Sequence, residues 1–174
     1  MEKTEVAITK KNLSEAFSGE SMANRKYLKY AEVADKEGYP EVAKLFRTIA
    51  EQETVHSWLW LNELGGVSTT EENLKSAIEG ETYEYTKMYP KFAEIAEKEG
   101  FKELAYKYRM LASIEERHAN EYKKALEELK KKKPKEGKEK RYICPNCGFV
   151  AEGEVPKNCP LCGLDAAQFK PIFI

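Results

Sequence analysis

The chain writes one helical hairpin twice. GESMANRKYLKYAEVADKEGYPEVAKLF (19–46) lies over GETYEYTKMYPKFAEIAEKEGFKELAYKY (80–108), with Gly-Glu on Gly-Glu and AEVADKEG on AEIAEKEG. Each copy reads as a helix, a sharp turn at KEGY or KEGF, and a second helix. Gly38 and Gly100 suit the position just past a helix end, and Pro40 suits the opening turn of the next helix. The pattern predicts four long helices, over about 10–37, 40–64, 70–99 and 101–131. Ser68/Glu71 or Thr69/Glu72 offers a capping box for the third.

The two copies are out of step by one residue. Glu20 and Glu81 are 61 apart, whereas Glu53 and Glu115, like His56 and His118, are 62 apart. One residue has therefore been added between Glu84 and Tyr89. An extra residue inside a helix is most simply absorbed as a π-bulge, a feature frequent at functional sites. Pro90, just beyond, weakens the local hydrogen-bond ladder.

The chain has 2 histidines, and both stand three residues after a glutamate, in EQETVHSW (51–58) and SIEERHAN (113–120). Residues i and i+3 share a helical face, so Glu53/His56 can reach one point and Glu115/His118 another. One such pair is common on the exposed helices of a Glu-rich chain. Two pairs in repeat register, with Glu20 and Glu81 matched on the other helices, point to metal. One Glu from each of two helices plus Glu-x-x-His from the other two is the di-iron arrangement of ferritin-like bundles. Carboxylates suit Fe(III), and imidazole suits Fe(II). Glu84 stands where the first copy has Ala23, which breaks the symmetry and offers one iron an alternative carboxylate. Tyr27 and its counterpart Tyr89 lie on the ligand face, as hydrogen-bond donors to the ligands or as core aromatics.

All 4 cysteines lie near the C-terminus, in CPNCG (144–148) and CPLCG (159–163). Cys144, Cys147, Cys159 and Cys162 make a four-thiolate site suited to one Fe or to Zn(II). Zinc would make this tail structural, and iron would make it an electron carrier. The fold class expected is an all-α four-helix bundle, ferritin-like, with a small β/loop four-cysteine module. Its domains are a bundle over 1–131 (hairpins 10–64 and 70–131), a basic linker at 132–141, and the module at 142–174. The run KKKKPKEGKEKR is read as solvated linker, since a formal net charge of −1 argues against nucleic-acid binding. The N-terminal MEKTEVAITKKN has no apolar signal core, and WLWL at 58–61 is too short to span a bilayer. A cytoplasmic protein is expected.

Residues 9–131 resemble the di-iron domain of the rubrerythrin family, and 142–174 resemble its rubredoxin-like tail. The resemblance implies reduction of hydrogen peroxide to water, as oxidative-stress defence in an anaerobe. It implies electrons from an NAD(P)H:rubredoxin reductase, often through a separate rubredoxin. It further implies that Glu53 and Glu115 bridge two non-haem irons, with Glu81 and His118 on one and Glu20 on the other. By the same resemblance, that second iron is expected to exchange His56 for Glu84 on oxidation. The rival readings are a ferroxidase or other iron-handling ferritin-like protein, and a sensor with a structural zinc ribbon.

Helix length bears on assembly. Ligands lie about 17 Å from the end of the second helix and from the start of the third, at 1.5 Å per residue. If these helices run parallel, their connection must cross roughly 30 Å, beyond the ~20 Å reach of GGVST (65–69). Either the topology is up-down-up-down, or a homodimer exchanges helix pairs. The exchange is favoured: Glu20, Glu53 and His56 of one chain would meet Glu81, Glu84, Glu115 and His118 of the other.

Overall fold

The computed structural model describes residues 2–131 and 140–172. Residues 132–139 of the expected linker lie outside the described residues. The helices are α1 (Glu2–Lys36), α2 (Pro40–Glu63), α3 (Thr70–Tyr83), α4 (Tyr89–Lys98) and α5 (Lys102–Lys130). Between α3 and α4 the chain continues helically as a π turn, Glu84–Met88. The residue added in the second repeat is thus absorbed where the sequence places it. Pro90 sits in the first turn of α4, where its missing N–H is least costly. The first helix starts at Glu2, well before the expected 10, because nothing in TEVAITKK breaks a helix.

Two compact units result, 1–68 and 69–174. In the first, α1 packs on α2; in the second, α3, the π turn and α4 pack along α5. Both hairpins are closed by the same device. The Gly38 N–H bonds the Asp35 carbonyl at 3.1 Å and the Tyr39 N–H the Ala34 carbonyl at 2.8 Å. Gly100 and Phe101 repeat this on Glu97 and Ala96 at 3.1 and 2.8 Å. This doubly bonded C-cap needs a left-handed residue, and Gly38 and Gly100 have φ of 82° and 85°. Small side chains bring the helices close: Ala31, Ala34 and Ala43 are buried in the first hairpin, and their counterparts Ala93, Ala96 and Ala105 in the second. Arg47–Asp35 and Arg109–Glu97 are matching ion pairs across the two turns. Ring triads Tyr27/Tyr30/Phe46 and Tyr89/Phe92/Tyr108 complete the correspondence.

Of the two candidate caps for α3, Thr69/Glu72 is used. Thr69 Oγ1 accepts from the Glu72 N–H at 3.3 Å, and the Thr69 N–H donates to Glu72 Oε2 at 3.2 Å. Thr69→Ala should destabilise the second unit by about 1 kcal/mol, read as a lower Tm with the first unit unaffected.

The C-terminal part is a three-stranded antiparallel sheet, β1 (Arg141–Ile143), β2 (Val150–Glu152) and β3 (Lys170–Ile172), in the order β2-β1-β3. Two like loops carry the cysteines. The Gly148 N–H bonds the Cys144 carbonyl and the Gly163 N–H the Cys159 carbonyl, each at 2.9 Å. Gly148 and Gly163 have φ of 79° and 75°, the left-handed turn that such a tight loop requires.

Candidate metal centres

Helical spacing assembles three clusters. In the first hairpin α1 supplies Glu20 and α2 supplies Glu53 and His56. His56 Nδ1 lies 3.0 Å from Glu53 Oε2 and 4.0 Å from Glu20 Oε2. Asn24, one turn past Glu20, donates to the Ala50 carbonyl at 2.7 Å and to Thr54 Oγ1 at 2.8 Å. That cross-helix tie holds the two helices in the register that lets Glu20 meet Glu53. In the second hairpin, His118 Nδ1 lies 2.6 Å from Glu115 Oε2 and 3.5 Å from Glu81 Oε2. Within each cluster one donor atom per residue lies within 4.8 Å of the others.

These donor sets fit a cation. Hydrogen bonding to Glu53 raises the Glu20 carboxyl, while the same bond and His56 lower Glu53. The two carboxyls thus stand close enough to share a hydrogen bond, at a place that a metal ion would fill. Burial raises Glu115, whose side chain is only 12% exposed, and the Glu81 carboxyl adds to that. Glu84 is not a member of the three-residue cluster but stands beside it. Burial raises its carboxyl, the charge of Glu81 raises it further, and His118 acts in the opposite sense. Tyr89 is raised by burial and by the fields of Glu115, Glu84 and Glu81, so its ring borders the same cluster. Tyr27 packs in the aromatic triad of the first hairpin.

The third cluster is Cys144, Cys147, Cys159 and Cys162. Their Sγ atoms are 3.5 Å apart in the pairs 144/162 and 147/159. Tetrahedral sulfur around a metal at 2.3 Å gives about 3.8 Å between sulfurs, so the cage is near the right size. Burial pushes Cys144 and Cys147 up. Burial also opposes ionisation at Cys162, yet donors from the Asn146 side chain and the Leu164 backbone bring it down to about 6. One thiol is poised to ionise, and the buried others need a metal's charge to follow.

The structure also seats the cysteine module in the second unit through residues that sequence reasoning did not single out. Met110 packs against the cysteine cluster, the Tyr106 hydroxyl donates to the Leu161 carbonyl at 3.4 Å, and Arg117 lies 4.6 Å from the centre of the Phe149 ring. A signal for them was present. The first hairpin has Lys44, Thr48 and Val55 at those repeat positions, so all three depart from the duplication.

Carboxylate–imidazole clusters on duplicated helical hairpins, with a four-thiolate module, define a ferritin-like non-haem iron protein. The rubrerythrin profile matches residues 11–126, and the rubrerythrin rubredoxin-like domain profile matches 142–170. The chain is 38% identical to a rubrerythrin of Porphyromonas gingivalis, over 94% of this chain and 90% of that one. It is 32% identical to a rubrerythrin of Nitratidesulfovibrio vulgaris, over 93% of each. A solved structure of partially reduced nigerythrin superposes with a TM-score of 0.54 at 29% identity, covering 94% of this chain and 86% of that one. The chain belongs to the rubrerythrin family. Its cofactors are accordingly a non-haem di-iron pair in the helical part and one iron held by the four cysteines, which makes it an iron oxidoreductase of oxidative-stress defence. Among the described residues no helix is long and apolar enough to cross a membrane.

Proposed function

We propose that this chain is a peroxidase that reduces hydrogen peroxide to water, with electrons relayed through the four-cysteine iron. The observation that carries the reading is the presence in one chain of two carboxylate–imidazole clusters and a four-thiolate cage. An iron-storage ferroxidase has no use for the cage. When bound, the iron pair supplies the two electrons that, with two protons, turn one peroxide into two waters. Glu53 and Glu115, with side chains 15% and 12% exposed, are better shielded than Glu20 and Glu81 and would be the carboxylates shared by the iron pair. Glu20 and His56 would hold one iron, Glu81 and His118 the other. Glu84 would supply an anionic oxygen in place of neutral His56 when the local positive charge rises. A rubredoxin and an NAD(P)H:rubredoxin reductase are the donors that suit a thiolate iron.

The working unit in this reading is a homodimer with exchanged hairpins. The first hairpin offers three clustered donors and the second three with Glu84 beside them, in each case fewer than two irons require. Val55 and Trp58, flanking His56 on α2, are each 62% exposed in the single chain, an apolar surface that a partner would cover. Residues 65–69 are too short to fold the second hairpin back in the parallel arrangement described above.

The test is oxidation of the fully reduced protein in single turnover. Peroxide should oxidise the bundle at least tenfold faster than dioxygen at equal concentration. Equal rates would replace this reading with the ferroxidase one.

A further inference from the structure

Helix α5 has two working faces. Successive residues turn by about 100°, which places Tyr106, Met110, Arg117 and Glu121 on a stripe roughly 120° from Glu115 and His118. The cysteine module sits on that stripe. Met110 packs against the buried cluster that Cys144, Cys147 and Cys159 form. Tyr106 reaches the Leu161 carbonyl in the second cysteine loop. Glu121 Oε1, 2.8 Å from Arg117 Nε, fixes the guanidinium over Phe149. The Phe149 carbonyl in turn accepts from the Cys144 N–H at 2.8 Å, so the clamp is one residue removed from a metal ligand. The first hairpin has Lys44, Thr48, Val55 and Leu59 at the four matching positions. The stripe is a property of the second hairpin alone.

We propose that this stripe is the electron port of the protein: the cysteine module feeds the bundle through α5 of its own chain, with Met110 as bridge and Arg117 as clamp. This rests on the relay reading above. From Met110 the chain rises only about 7.5 Å to Glu115 and about 12 Å to His118, a continuous covalent path. Each transfer moves one electron, from Fe(II) held by the thiolates, which becomes Fe(III), to Fe(III) in the bundle, which becomes Fe(II). Peroxide is the terminal oxidant. Four thiolates with Fe(II) carry a net charge of −2, against −1 with Fe(III). The Arg117 cation beside the cage therefore favours the reduced tail and raises its potential. Met110 and Arg117 are positioning residues and touch neither iron nor peroxide.

The test uses the full-length iron-loaded protein carrying Met110→Thr and Arg117→Val, the residues of the first hairpin at these positions. Peroxide should oxidise the bundle iron of the reduced variant at the parent rate, while reoxidation of the tail iron slows at least tenfold. The tail potential should fall, and amide exchange across 142–152 should rise in the zinc-loaded form. Arg117→Gln, which removes the charge and keeps the length, is the milder control, and it too should lower the potential. Tail reoxidation within twofold of the parent in both variants would overturn the port while leaving the relay standing. If the parent itself passes no electrons from tail to bundle, the relay fails and the port with it.

Discussion

Two variants that are each inactive should regain about a quarter of parental peroxide turnover when unfolded together and refolded with iron, because half the dimers are mixed and each mixed dimer has one intact site of two. One variant carries Glu20→Ala with His56→Ala, and the other Glu81→Ala with His118→Ala. Alone, neither can assemble a complete ligand set. In a mixed dimer with exchanged hairpins, the intact first hairpin of one chain meets the intact second hairpin of the other. The reciprocal pairing joins the two crippled hairpins and stays dead. If each chain instead folds its own two hairpins together, every site lacks two ligands and mixing restores nothing. The outcomes differ by the whole signal, which no modest change in stability can imitate. The physical ground is the reach of residues 65–69 and the apolar Val55 and Trp58 that the first hairpin itself leaves exposed beside His56.

Much of this architecture was legible because the duplication made the sequence its own control. Gly38 and Gly100 fall at the same place in each copy, and both prove to be left-handed caps. The 61-against-62 offset located the π turn at 84–88, since an insertion between two fixed registers can be absorbed only between them. The grouping of the candidate residues was legible for the same reason: i,i+3 spacing settles which side chains meet once the helix is certain, and both hairpins bring the three expected side chains together. Symmetric reasoning reads poorly what the symmetry lacks. The start of α1 was misjudged because it lies outside the repeat. The seat of the cysteine module on Tyr106, Met110 and Arg117 was missed because a contact between distant segments leaves no periodic trace. Only the departure from Lys44, Thr48 and Val55 marked it. Asn24 is a similar case, since its hydrogen bond to Thr54 Oγ1 joins helices whose register the sequence does not state.

Glu84→Ala should leave iron content and helicity intact and slow peroxide turnover by about 10–100-fold, the usual scale for a group supporting a metal site. The substitution makes the second hairpin match the first, where Ala23 occupies the same position, so the fold has a built-in precedent for tolerating it. What is lost is an acid of unusual character. Burial and the neighbouring Glu81 hold the Glu84 carboxyl above the ordinary range, while His118 offsets part of that effect. Such a group stays protonated more readily than a fully solvated carboxyl and ionises when positive charge nearby increases. That is the behaviour required of a ligand that joins only the oxidised metal. Glu84→Gln keeps the shape and removes the charge. It should be as slow as the alanine variant if charge drives the exchange, and near parental speed if shape alone matters. His56→Ala examines the group that departs: it should keep the oxidised form loaded with iron and lose iron from the reduced form, because only the reduced form relies on the His56 imidazole. Parental turnover in both Glu84→Ala and His56→Ala would leave the added carboxylate and the π turn beside it without a part in the chemistry, and the asymmetry between the two hairpins would need another cause.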